Sequence, residues 1–314
     1  MQKISASLSR LFTKEPSDSD SVRTRKLEHL QKKHRGRPFV FEEGNLRFMY
    51  FNQKSVQSAM RIDAPDQLLC GYTSAMMGFL LGNPAPQHIL MIGLGGGSLV
   101  KFCYRHLPAC HITVIEIDAD VIALRGQFMI PDDDDRLNII HANAVTYLAQ
   151  HTLQADIVML DGFDPDGLVP TLNSESFYAA CHRALTPEGI LVTNMWGKRK
   201  QLVSFLTELR KQFAQKVWWC RSLDSYNLIS FSCKGEAPAF TSSLEERAES
   251  LDQQFQLQLV ELSAQMRTLS LPTTMPSYEY EVKELVRLSA DVAELMVTDD
   301  ALPSSDVEWS ALHQ

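Results

Sequence analysis

The chain has 314 residues, 45% of them hydrophobic and 22% charged, with a formal net charge of -8. That length and apolar share are ample for a sizeable core, and the acidic balance gives no overall pull toward nucleic acid or an anionic membrane, suiting a small cationic ligand instead. Six cysteines, at 70, 103, 110, 181, 220 and 233, include no C-x-x-C pair and no zinc-type spacing with the histidines. This predicts reduced, mostly buried thiols in a cytoplasmic protein without a metal site. No apolar run nears the ~18 residues of a membrane span.

Residues 1–37 read as a polar, flexible leader, in which RTRKLEHLQKKHRGR carries seven Lys or Arg in fifteen residues. With no aromatic in that run, a solvated and partly helical tail is expected rather than an RNA- or lipid-binding arm. Residues 38–65 form a small N-terminal β region. There apolar and polar residues alternate around the turn-like Glu43-Gly44-Asn45, the pattern of a hairpin or meander. Asp66 is placed to cap a helix whose apolar face draws on Leu68, Leu69, Tyr72, Met76, Phe79 and Leu80, ended by Gly82, Asn83 and Pro84.

Residues 66–234 hold the informative stretches. From Gln87 to Asp118 an apolar run, Ile89 to Ile92, leads into Gly93, Gly95 and Gly97, then a helical segment from Ser98 to His106, then a second apolar run ending in Glu116 and Asp118. Strand, glycine turn, helix, strand and acid is the order of a nucleoside-binding βαβ unit. The glycines let the backbone turn and sit against a ligand, the helix N-terminus offers unpaired N–H groups, and the acid can accept hydrogen bonds from ribose hydroxyls. DADVIALRGQFM continues as a helix capped near Asp118. The aspartates of PDDDD read as a solvated loop, since they lack the alternating ligands and glycine of a calcium loop. After a third strand and a helix in LNIIHANAVTYLAQ, a fourth apolar run from Ile157 to Leu160 ends at Asp161, with Asp164 and Asp166 just beyond.

In an open parallel sheet, ligands sit past the carboxyl ends of the strands. Carboxylates there can anchor a cationic amine and take the proton it must lose before attacking an electrophile. Asp161 is the candidate base and Asp164 the candidate anchor. A hydrolase nucleophile has poor support, because Ser98 lies in GGGSL and not in a G-x-S-x-G elbow. A helix, a proline-glycine turn and a fifth strand follow in SESFYAACHRALTPEGILVTNMWG, then a helix and a closing pair of strands, KVWWCRS and YNLISFSC. Strand and helix alternate from 88 to 233, which predicts a Rossmann-like, doubly wound α/β domain. Residues 235–314 form a helical C-terminal extension and tail, with helical periodicity in SLEERAESLDQQFQLQLVELSAQM and again in SYEYEVKELVRLSADVAELM.

The sequence resembles the spermidine synthase, or polyamine aminopropyltransferase, family from about Phe39 to Lys234. The resemblance rests on VQS at 56–58, Tyr72, IGLGGG, VIEID, the DGFDP loop and TPEGILVTN. It implies a Rossmann-like fold with a small N-terminal β domain, decarboxylated S-adenosylmethionine as co-substrate, a small cationic amine such as putrescine as acceptor, and a homo-oligomer such as a dimer. By residue it implies Asp161 as proton acceptor, Asp164 as polyamine anchor, Glu116 on the ribose, Gln57 and Tyr72 lining the site, and Asn143 with Ala144 near the adenine. Gly93, Gly95 and Gly97 would approach the cofactor.

Several positions depart from the family pattern. Gly96 stands where the family carries a loop aspartate that holds the cofactor's terminal amine. Thr73 and Ser74 replace Gln or His followed by Glu. Asn143 replaces an aspartate, Leu168 a proline, and the position near Ser222 a tyrosine. The departure at Gly96 keeps open S-adenosylmethionine as the cofactor and methyl transfer as the activity. A non-catalytic nucleoside-binding scaffold, using both terminal segments for docking, is the third alternative.

Overall fold

The computed structural model describes residues 18–52, 55–164, 167–197, 199–225, 227–236, 240 and 243–268. The stretch expected as a flexible leader is, from Asp18 onward, a helix, α1 (Asp18–His34), seated on the small sheet that follows it. Its Leu27 is buried and its Leu30 packs against the same apolar cluster as Phe39, Phe41, Phe48 and Tyr50. That sheet is an antiparallel meander of β1 (Phe39–Glu43), β2 (Leu46–Asn52) and β3 (Ser55–Arg61). The first turn falls where the sequence places it, with Gly44 at φ +58°.

The next helix differs from expectation. Helix α2 (Gly71–Met76) begins five residues after Asp66, with Cys70 in the cap position and no side-chain cap, and tightens into a 3-10 turn over Met77–Leu81. Asp66 instead pairs with His106 at 3.2 Å. The predicted apolar face survives, since Met76, Phe79 and Leu80 are fully buried.

The main domain alternates as predicted. In chain order it runs β4 (His88–Ile92), α3 (Ser98–His106), β5 (His111–Glu116), α4 (Ala119–Ala123), β6 (Leu137–His141), α5 (Ala144–Gln150) and β7 (Ala155–Leu160). A two-strand turn, β8 (Phe163–Asp164) with β9 (Gly167–Leu168), precedes α6 (Glu175–Ala184), β10 (Leu185–Met195), α7 (Arg199–Gln212), β11 (Val217–Arg221) and β12 (Leu228–Cys233). The expected proline-glycine turn at Pro187–Gly189 lies inside β10, as an irregularity in its register against β7 between Leu185 and Ile190. The seven-stranded sheet has the order β11-β12-β10-β7-β4-β5-β6. Neighbours from β10 to β6 are parallel, and β12 is antiparallel to both β10 and β11.

Both faces of the sheet are covered, which explains why its strands read as continuous apolar runs. Ile89 and Met91 of β4 face one core, shared with Phe102 of α3 and Met76 of α2, while Leu90 and Ile92 face the other, shared with Leu148, Phe177 and Leu206. The C-terminal helices α8 (Leu244–Phe255) and α9 (Leu259–Ala264) join the first core through Ala248, Leu251, Leu259 and Leu262. Phe255 meets Phe102 edge-on at 6.0 Å. This part of the C-terminal extension thus belongs to the main domain, and the second periodic segment, residues 277–296, lies outside the described residues.

Strand order reverses between β4 and β7: β5 and β6 lie to one side of that seam, β10 and β12 to the other. The crevice at such a reversal, past the carboxyl ends of the strands, is where an open α/β sheet can admit a ligand.

Candidate active site

Gly93 follows β4 and Asp161 follows β7 at that seam, and the two backbones touch. Asp161 N–H donates to the Ile92 carbonyl at 2.9 Å, and a Cβ added at Gly93, whose φ is +98°, would stand 2.3 Å from the Asp161 carbonyl oxygen. Only glycine allows this approach. Gly97, at φ +64°, then turns the chain into α3, which has no side-chain cap and no acidic residue in its first turn.

Gly93 stands at one end of a cavity of about 590 Å³, within the range of small-molecule sites. Gly93, Gly95, Glu116, Asn143 and Ala144 line this end. Glu116, only 8% exposed, is aimed by two backbone donors: Leu94 N–H reaches Oε2 at 2.8 Å and Asp118 N–H reaches Oε1 at 2.8 Å. Each carboxylate oxygen keeps further acceptor capacity for a vicinal diol. Asn143 caps α5, its Oδ1 accepting from Val145 N–H at 2.9 Å and Thr146 N–H at 3.3 Å. With that oxygen committed, this side chain offers a ligand its Nδ2 protons.

Gln57, Tyr72, Asp161, Asn194, Trp196 and Asn227 line the other end. Asn194 Nδ2 donates to Asp161 Oδ1 at 2.8 Å, Asn227 Nδ2 to Asn194 Oδ1 at 2.9 Å, and Ser225 Oγ to Asn227 Oδ1 at 2.9 Å. The Tyr72 side chain also hydrogen-bonds Asp161. Burial pushes the Asp161 carboxyl above its ordinary range, while the bonds from Asn194 and Tyr72 pull the other way without cancelling it. Burial and the nearby Asp161 hold the Tyr72 phenol far above its usual range, so it stays a neutral donor. The Cys70 thiol is pushed up to about 12 by burial and by Asp224 and Asp161, which keeps it protonated and inert. Ser222, at the position where the resemblance loses a tyrosine, donates to Asp224 Oδ1 at 2.8 Å, and Asp224 Oδ2 accepts from Gly71 N–H at 2.8 Å.

Eight of the ten residues named from the sequence therefore line one cavity: Gln57, Tyr72, Gly93, Gly95, Glu116, Asn143, Ala144 and Asp161. Gly97 stands just behind it at the head of α3. Asp164 pairs with Gly167 in the turn beyond β7, where the backbone alone is described, and Asp166 lies outside the described residues. Asn194 and Asn227 were not foreseen. Asn194 carries a signal, a polar residue near the tip of a strand that is otherwise largely apolar and buried, whereas Asn227 carries none. Among the described residues no group of three or more His, Cys, Asp or Glu side chains is arranged to hold a metal ion, and no helix is long and apolar enough to cross a membrane.

Comparison with known proteins places these features in context. Residues 69–240 match the family model of the spermine/spermidine synthase domain. The polyamine aminopropyltransferase of Chromobacterium violaceum is 34% identical over 237 residues, a match spanning 74% of this chain and 90% of that one. Spermidine synthase from Thermotoga maritima superposes with a TM-score of 0.56 at 18% identity, over 80% of this chain and 88% of that one. A spermidine synthase in complex with the transition-state analogue AdoDATO superposes with a TM-score of 0.52 at 19% identity, over 80% and 89%. At such identities the two solved structures speak to the fold.

Proposed function

Because the chain belongs to the spermine/spermidine synthase family, we propose that it transfers an aminopropyl group from decarboxylated S-adenosylmethionine to a small polyamine such as putrescine, with Asp161 as the general base. The observation that carries this reading is the placement of Asp161: at the seam of the sheet, hydrogen-bonded by Asn194 and Tyr72, and in one cavity with the glycine loop and Glu116.

The residues fit a nucleoside sulfonium. The glycine loop and the Glu116 carboxylate suit a ribose, Asn143 and Ala144 border the space for a base, and the volume suffices. When bound, such a sulfonium supplies an electrophilic methylene and a neutral thioether leaving group. Asp161 would hold the attacking amine against that carbon and accept its proton as the C–N bond forms. Burial favours this role, since a carboxylate with a raised pKa is the stronger base and an enclosed site strengthens its pull on an ammonium. Asn194 and Tyr72 occupy part of the carboxylate and fix which oxygen faces the substrate. Gln57 and Trp196 wall the acceptor end, and Asp164 is the proposed partner of the amine's distal charge.

The test is Asp161→Asn in the full chain. Calorimetric binding of methylthioadenosine should match wild type while turnover of putrescine falls by roughly a hundredfold or more. Retained turnover would remove Asp161 from the role of base.

A further inference from the structure

The alkyl-transfer reading does not require that the donor be decarboxylated. We propose that the head of α3 also admits a carboxylate, so that the protein accepts S-adenosylmethionine itself alongside its decarboxylated form and passes its 3-amino-3-carboxypropyl group to the amine.

Helix α3 has nine residues, begins after a left-handed glycine, and has neither a side-chain cap nor an acidic residue in its first turn, and Ser98, Leu99 and Val100 line the cavity. Uncapped first-turn N–H groups at the positive end of a helix favour an anion. The second observation is independent of the helix. Ser58, on β3, is 8% exposed and lines the same cavity. Its Oγ stands 2.6 Å from where a Cβ on Gly96 would be, and its hydroxyl has no hydrogen bond among the described residues. The side chain is nine-tenths buried with its residue lining the cavity beside a loop of N–H donors, and an incoming carboxylate would supply the acceptor its hydroxyl lacks.

An aspartate at Gly96 would not fit in that place. Gly96 is not among the glycines with positive φ, so its backbone would tolerate an aspartate. The Cβ, however, would also meet Phe128 Cδ1 at 2.9 Å, and Phe128 is fully buried with its carbonyl held by Lys101 Nζ at 2.8 Å. Ser58 and Phe128 fill the space from behind. Glu116, the acid bonded to this loop, already accepts from Leu94 and Asp118.

The inference rests on Asp161 as the base of an alkyl transfer. The amine lone pair would attack the methylene bonded to the sulfonium, the C–N bond would form as the C–S bond breaks, and sulfur would keep the bonding pair and depart within methylthioadenosine. The amine proton would pass to Asp161. The carboxylate and ammonium of the transferred arm would be unchanged, so nothing is oxidised or reduced.

The test is calorimetric titration of the full chain with S-adenosylmethionine and with its decarboxylated form, followed by mass spectrometry of putrescine incubated with each. Wild type should bind S-adenosylmethionine at least as tightly as the decarboxylated donor. Ser58→Ala should weaken the first by about tenfold or more and leave the second unchanged, as loss of a hydrogen bond to a charged group predicts. Putrescine should gain one aminocarboxypropyl unit from S-adenosylmethionine. Equal effects of Ser58→Ala on both donors would overturn the subsite, and an aminopropyl product would then leave the alkyl-transfer reading standing. A methylated amine would overturn the alkyl assignment, and no product from either donor would overturn the transfer step on which it rests.

Discussion

The two ends of the cavity are held by different kinds of hydrogen bond. At the proposed nucleoside end, side chains are aimed by backbone donors close by in sequence: Glu116 by Leu94 and Asp118, Asn143 by Val145 and Thr146, all within 22 residues. At the acceptor end, side chains hold one another across longer separations. Asp161 to Asn194 and Asn194 to Asn227 each span 33 residues. A backbone donor is positioned by the fold itself and survives most substitutions. A side-chain relay depends on each member. The nucleoside end should therefore be tied to stability, and the acceptor end to turnover and to its pH dependence.

The largest expected effect lies at the acceptor end. Asp161→Asn should lower turnover by roughly 10²–10⁴-fold, the usual worth of a general base. The same substitution should raise Tm. A carboxyl whose folded pKa is raised contributes stability at low pH that is lost as pH rises through that pKa, so near neutrality the ionised Asp161 works against folding and a neutral amide does not. Thermal melts at neutral pH check this, and a lower Tm would contradict the stated cause of the shift.

Next is Glu116→Ala at the nucleoside end. It strands the Leu94 N–H and should cost about 1–3 kcal/mol of stability, read by denaturant unfolding, together with a loss of methylthioadenosine affinity. Unchanged stability would break the comparison, because it would show that the backbone bonds do not matter. Asn143→Ala should cost about 1 kcal/mol through the lost cap of α5.

The finest test sharpens the relay. Asn194→Ala removes a hydrogen bond that lowers the Asp161 pKa. The acid limb of kcat/KM should move up in pH, with methylthioadenosine affinity unaffected. A limb that stays in place would mean that Asn194 does not act on Asp161.

The same contrast explains what could be read from the sequence. The nucleoside end lies within one βαβ stretch, where strand, glycine turn and acid follow at fixed spacing, so Gly93, Gly95 and Glu116 could be named from pattern alone. Asp161 was legible because it ends an apolar run. Asn227 and Ser225 were not, since their roles arise only when β12 is laid antiparallel beside β10. Ser58 was seen as part of VQS but not as the neighbour of Gly96, a contact between β3 and the loop before α3 that no spacing encodes. The helix start was misplaced because Asp66 looks like a cap in sequence, whereas His106, forty residues on, provides its partner.

The most direct test of the account is the product formed from putrescine and decarboxylated S-adenosylmethionine by wild type and by Asp161→Asn, read by mass spectrometry alongside methylthioadenosine release. The expected result is an amine heavier by one aminopropyl unit, with matching thioether, from wild type and roughly a hundredfold less or lower still of both from the variant. Equal product from both proteins, or none from wild type that binds methylthioadenosine, would contradict it.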